Sequence, residues 1–158
     1  KTVVVFESVV NDHQRGLVAS LAKEIWHDAY QDLLSVEQRE YMIEKLQSFE
    51  AIKHDGMDYF LIYFDEVVCG YYAITTEDEC LLISKIYILN NFRGKGILSK
   101  IIDKCKNEST HQCLRLYVNK ENPALKAYEA KGFEIVRSVV KDIGEGYVMD
   151  DYCMEFEL

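Results

Sequence analysis

Hydrophobic positions along this chain follow two different periods, and the change between them divides it. From Asn11 to Leu46 apolar residues recur at every third or fourth place: Leu17, Leu21, Ile25 and Ala29, then Met42, Ile43 and Leu46. That spacing predicts two amphipathic helices. Asn11 with Gln14, and Ser35 with Gln38, form capping-box pairs that set where each begins. Thr2 to Val10, rich in Val and Phe, reads as a strand before them. From Asp58 the period shortens. Tyr59–Phe64, Val67–Thr75 and Cys80–Leu89 are strand-like runs, separated by Asp65-Glu66 and by Thr76-Glu77-Asp78-Glu79. Polar connections of that length join an antiparallel meander.

The second half alternates between the two periods. A helix is predicted from about Gly94 to Asn107, with Ile97, Ile101 and Cys105 on one face, followed by a short strand at Leu114–Val118. Asn122 then suits an N-cap, Pro123 the first helical position and Gly132 a left-handed C-cap. Glu134–Lys141 and Tyr147–Leu158 read as a closing strand pair about the Ile143–Gly146 turn. Neither a linker nor an internal repeat interrupts the chain, so residues 1–158 are read as one domain.

Composition narrows the function classes. A net charge of −9 argues against nonspecific nucleic-acid binding and suits a cationic partner as well as plain solubility. The five cysteines, Cys69, Cys80, Cys105, Cys113 and Cys153, include no Cys-x-x-Cys pair and read as reduced core residues. Neither they nor the four histidines show metal-ligand spacing, so no metal is expected. No apolar run is long enough to span a bilayer and no signal peptide is read, which predicts a cytoplasmic protein without a membrane partner.

The chemistry concentrates where the third meander strand meets the next helix. Ile86-Tyr87-Ile88 leads through Asn90-Asn91 into Arg93-Gly94-Lys95-Gly96, and Ile97-Leu98-Ser99 opens the helix. First-turn N–H groups lack intrahelical acceptors and the helix dipole adds positive potential, so such a junction binds anions. The two glycines admit a ligand to the backbone, and Arg93 and Lys95 add charge. A P-loop is excluded because no glycine lies five residues before Gly94 or Gly96, and a dinucleotide fingerprint lacks its third small residue. Arg-x-x-Gly-x-Gly/Ala fits from Arg93 onward except at Leu98.

Together with Asn119-x-x-Asn122-Pro123-Ala124-x-x-x-Tyr128-x-x-x-Gly132-Phe133, this turn resembles the GNAT superfamily of N-acetyltransferases over nearly the whole chain. The resemblance implies an α/β (α+β) fold: a mixed, mostly antiparallel, splayed sheet of six or seven strands flanked by about four helices. It implies acetyl-CoA as cofactor, with Ile86, Tyr87 and Ile88 holding the pantetheine through their backbone. Arg93, Gly94, Lys95, Gly96, Ile97, Leu98 and Ser99 would hold the pyrophosphate, and Asn119, Asn122 and Ala124 the cofactor's other side. Tyr128 would face the thioester sulfur as the catalytic hydroxyl. Leu98 departs from the family's usual Gly or Ala. Trp26-x-x-x-Tyr30 and the Met149-Asp150-Asp151-Tyr152 ending look like the branch of bacterial spermidine and spermine acetyltransferases.

The implied reaction is direct attack of a primary amine on the thioester. An alkylamine of pKa near 10.4 is neutral in about one molecule in 2,500 at pH 7, so deprotonation alone costs roughly 4.6 kcal/mol. Strand alternation places Leu82, Ser84, Ile86 and Ile88 on one face with no carboxylate among them. A water relay from Ser84 is therefore expected to carry the proton, with Asp150, Asp151 and Glu155 as alternatives. Trp26, Tyr30, Ser84, Asp150 and Asp151 are the candidate substrate contacts. The acceptor expected is a small polyamine-like amine, the alternatives being a peptide or protein amine, or an acyl-CoA sensor without turnover. A homodimer is left open.

Overall fold

The computed structural model describes residues 2–32 and 34–158, the side chain of Ala29 apart. Its elements are β1 (Val4–Ser8), α1 (Asp12–Ala29), α2 (Val36–Met42), a π-helical turn (Ile43–Gln47), α3 (Phe49–His54), β2 (Asp58–Phe64), β3 (Val67–Glu77) and β4 (Cys80–Ile88). A 3-10 turn (Asn90–Phe92) leads to α4 (Ile97–Glu108), β5 (Cys113–Asn119), α5 (Ala124–Ala130), β6 (Glu134–Gly144) and β7 (Tyr147–Glu157). The seven strands are hydrogen-bonded in the order β1-β2-β3-β4-β5-β7-β6. Pairing is antiparallel for β1–β2, β2–β3, β5–β7 and β6–β7, and parallel for β4–β5. This is the mixed, mostly antiparallel sheet that the resemblance implies, and β2–β3 is antiparallel as the strand pattern predicts.

Local chemistry sets the boundaries. The Asn11 side chain accepts from the Gln14 N–H at 2.9 Å while the Gln14 side chain accepts from the Asn11 N–H at 3.1 Å, which closes the expected capping box. Asp65 and Glu66, at φ 48° and 69°, turn β2 into β3 as a two-residue hairpin with both φ positive. At the far end of α5, Gly132 adopts φ 98°, and the Phe133 N–H donates to the Tyr128 carbonyl at 3.1 Å in a Schellman closure.

Two details differ from the sequence reading. The second helix does not run on as one piece: α2 gives way to the π-helical turn, and the Ser48 hydroxyl then caps α3 by accepting from the Ala51 N–H at 3.2 Å. A six-residue helix is too short to show a periodicity of its own. The cysteines differ more. Cys80 and Cys113 are disulfide-bonded, which corrects the expectation of five reduced thiols. They are direct register partners on the parallel strands β4 and β5, a proximity that a sequence separation of 33 does not announce. Cys69, Cys105 and Cys153 are free and buried.

The chain resolves into two compact units, one of residues up to Thr75 with Lys85–Leu98, the other of Thr76–Ser84 with Ser99–Leu158. The first has its core in Val18, Ala22, Ile25, Trp26, Leu61, Ile62 and Tyr71. The second has Ile101, Ile102, Leu114, Leu116, Val118, Phe133 and Met154. No helix among the described residues is long and apolar enough to cross a membrane.

Candidate functional site

In the first unit, β4 delivers Ile86, Tyr87 and Ile88, all half-buried, into the turn. Arg93, Gly94, Lys95 and Gly96 are exposed, Ile97 is buried and Leu98 half-buried. Gly94 and Gly96 take φ 73° and 80°, and a Cβ built on either meets nothing within 4 Å. Both positions therefore need glycine for their backbone conformation and leave open space beside the start of α4. Arg93 folds back, its Nε donating to the Ile88 carbonyl at 3.4 Å, and the Lys95 ammonium lies 5.8 Å from the Phe64 ring centre. The Trp26 and Tyr30 rings pack at a tilt within this unit, 4.5 Å between centres, Trp26 only 1% and Tyr30 8% exposed.

The same unit buries a polar cluster that the sequence reading passed over. Lys85, on the β4 face opposite Ser84 and Ile86, donates from Nζ to the Leu46 carbonyl at 2.7 Å and to the Tyr59 hydroxyl. Tyr59 in turn donates to Asp55 Oδ2 at 2.6 Å, and Asp55 lies 3.6 Å from the ammonium. Burial pushes the Lys85 amine down to about 8, with Asp55 opposing the shift. Burial, reinforced by the Asp55 carboxylate, raises the Tyr59 phenol far above its ordinary range. The one available signal was a lone lysine inside the apolar run Leu81–Leu89. The π-helical turn aims the Leu46 carbonyl at that lysine, while Gln47 accepts from the Tyr71 hydroxyl at 2.7 Å.

In the second unit, Ser84 and Ser99 are half-buried, as are Asn119, Asn122 and Ala124. Asn122 Oδ1 accepts from the Ala124 N–H at 2.9 Å and opens α5, and Asn119 Oδ1 accepts from the Glu121 N–H at 2.9 Å. Both side-chain oxygens thus shape the turn that leads into α5, the helix that carries Tyr128. Tyr128 is buried, its ring edge-on to Phe133 at 6.1 Å. Lys131, which sequence spacing gave no reason to single out, donates from Nζ to the Ser99 hydroxyl in the first turns of α4. It brings a cation to that helix start from 32 residues away. On β7, Asp150 is exposed and pairs with Lys120 at 3.0 Å, whereas Asp151 is half-buried.

Arg115 anchors the other end of β5, with its guanidinium on Glu77 and Asp78 at 2.8 and 2.7 Å and on Glu155 at 2.8 Å. Cys80, Cys113 and Glu155 gather three ligand atoms within 4.8 Å. With the two sulfurs bonded to each other and Glu155 held by Arg115, that group offers no vacant donor for a metal.

A sequence model of the acetyltransferase (GNAT) family matches residues 19–133, nearly three quarters of the chain. Solved structures resemble it in fold over nearly their full length at low identity. A PaiA N-acetyltransferase from Thermoplasma acidophilum, in complex with coenzyme A, aligns with TM-score 0.77 at 17% identity over 99% of both chains. The spermidine/spermine N-acetyltransferase SpeG from Vibrio cholerae, in two mutant forms, aligns with TM-score 0.66 at 16% identity over 98% of this chain and 93% of that one. A ribosomal-protein-alanine N-acetyltransferase from Brucella melitensis gives 0.62 at 17% over 98% and 99%.

Proposed function

The chain belongs to the acetyltransferase (GNAT) family, and we propose that it moves an acetyl group from acetyl-CoA to a primary amine of a small cationic, polyamine-like substrate. The observation that carries the reading is the strand–turn–helix at 86–99. Its two glycines at positive φ meet nothing where a Cβ would stand, which gives a pyrophosphate room to approach the first N–H groups of α4. Lys95, within the turn itself, supplies a cation to neutralise it. The backbone of Ile86–Ile88 holds the pantetheine arm, Ser99 adds a hydroxyl to the phosphate end, and Asn119, Asn122 and Ala124 line the cofactor's other side.

Bound there, acetyl-CoA supplies an activated acyl carbon and a thiolate leaving group. Tyr128 acts on that thiolate. A phenol of pKa about 10 is a weaker acid than a thiol of about 8.5, so full transfer is uphill by roughly 2 kcal/mol. The hydroxyl therefore stabilises negative charge on sulfur as it develops instead of giving up its proton first. A net charge of −9 favours a cationic acceptor over an anionic one. The likeness to the SpeG spermidine/spermine enzyme is compatible with a polyamine. The likeness to the ribosomal-protein-alanine enzyme keeps an N-terminal amine as the second reading.

CoA release measured against spermidine, a neutral-bodied monoamine and an alanyl peptide separates these. A polyamine enzyme turns over spermidine with the highest kcat/KM, and that value falls as salt rises. Preference for the peptide, or salt-independent turnover of all three, overturns the polyamine assignment.

A further inference from the structure

Among the described residues, Asp151 carries the one buried carboxylate oxygen that lacks a hydrogen-bond partner. It ends the β5–β7 ladder opposite Asn119, where β5 passes into the loop that leads to Tyr128. Strand alternation turns it to the β5–β7 face that carries Tyr117 and Cys153, away from the Leu116, Val118 and Met154 face. One of its oxygens, Oδ1, is enclosed and has no hydrogen-bond partner.

The neighbouring cations make their direct contacts with other groups and act on Asp151 only through space. Lys120 bonds Asp150 at 3.0 Å and lies over the Tyr152 ring at 5.2 Å. Lys141, across on β6, sits 5.7 Å from the Tyr117 ring centre, and Arg137 donates to the Tyr117 hydroxyl at 3.3 Å. Asn119 Oδ1 is occupied within its own loop. A buried carboxylate oxygen without a donor is costly to keep, and an ammonium brought to this half-buried carboxylate would offset that cost.

We propose that Asp151 binds the acceptor's ammonium group and takes the first of the two protons it must lose. This rests on the acetyltransferase reading and replaces the water relay from Ser84 with a named base. The ammonium gives one proton to Asp151, leaving a neutral amine and a carboxylic acid. The amine's lone pair forms the C–N bond, and the C–S bond breaks with its electron pair going to sulfur. The nitrogen's second proton ends on that sulfur as CoA thiol, and Asp151 returns the first to solvent. Burial, with Asp150 adding to it and Lys141 and Lys120 opposing, pushes the Asp151 carboxyl up to about 6. Relative to an ordinary carboxylate near 3.9, this makes proton capture from an amine roughly 100-fold less unfavourable.

The test compares Asp151→Asn with Glu157→Gln, which removes an exposed carboxylate from the same strand. kcat/KM is measured by CoA release from pH 5 to 9 with the best acceptor among spermidine, the monoamine and the alanyl peptide. Acetyl-CoA affinity is measured by calorimetry. Asp151→Asn should lose about 100-fold in kcat/KM at pH 7.5 and lose the limb that rises near pH 6, with acetyl-CoA affinity unchanged within about threefold. Glu157→Gln should match the wild type. An Asp151→Asn protein that binds acetyl-CoA and keeps wild-type activity and pH profile overturns the assignment. So does equal loss in both variants. A wild type that acetylates none of the three amines overturns the acetyltransferase reading itself and the assignment with it.

Discussion

Replacing Lys85 with Met should flatten the alkaline rise in stability of this protein. The Lys85 side chain is 7% exposed, and burial lowers its pKa to about 8 from the 10.5 of an unburied lysine. Below pH 8 the amine is charged in both folded and unfolded chains, and the fold bears the whole penalty of burying it. As pH rises from 8 towards 10.5, the folded amine loses its proton first while the unfolded one keeps it. The unfolded state then binds more protons, so stability increases with pH. A shift of about 2.5 units corresponds to roughly 3 kcal/mol, of which about 2 kcal/mol should appear between pH 7 and 9.5.

The Met side chain removes that penalty along with hydrogen bonds to the Leu46 carbonyl and Tyr59, worth about 1–3 kcal/mol together. Asp55, whose side chain is 20% exposed, keeps water and the Tyr59 hydroxyl as partners after the change. Stability at pH 7 should therefore change by no more than about 2 kcal/mol in either direction. The informative quantity is the difference between wild type and variant in urea unfolding at pH 7, 8.5 and 9.5, because every other titrating group cancels in it. Growth of that difference by about 2 kcal/mol in favour of the wild type is expected. Parallel pH curves for the two proteins would refute the reasoning.

Gly70→Ala should destabilise by about 2–4 kcal/mol in urea unfolding, because a Cβ there lies 2.3 Å from the Tyr87 carbonyl oxygen of β4. A loss under about 1 kcal/mol would mean that the two backbones part more easily than described. Tyr128→Phe keeps the ring against Phe133 and removes only the hydroxyl, so kcat should fall roughly 100-fold while acetyl-CoA affinity holds. Wild-type kcat in that variant would reduce Tyr128 to packing.

Much of this architecture is written locally, and that part is legible in the chain. Asn11 and Gln14 close their capping box, Gly132 takes the left-handed conformation its position requires, and Asp65-Glu66 makes the short hairpin its length predicts. Each of these depends on residues a few places apart. What the sequence hides is long-range pairing. Lys131 reaches Ser99, Lys85 reaches Tyr59 and Leu46, and Cys80 meets Cys113 only because the sheet and helices bring distant segments together. The placements of Asp150 and Asp151 show both sides. Alternation predicts that they face opposite ways, but the half-buried Lys120 that pairs with Asp150, and the enclosure of Asp151 Oδ1, emerge only from tertiary packing.

The central claim is that the turn before α4 holds an acyl-CoA, and calorimetry of acetyl-CoA on wild type and Gly96→Val tests it most directly. Gly96 sits at φ 80° with open space beside it, so valine adds backbone strain of about 1–2 kcal/mol and places a branched side chain where the pyrophosphate would approach. The wild type should bind acetyl-CoA, and the variant, shown to be folded by its unfolding transition, should bind at least about 10-fold more weakly. Unchanged affinity in folded Gly96→Val, or no acetyl-CoA binding by the wild type, would contradict the account.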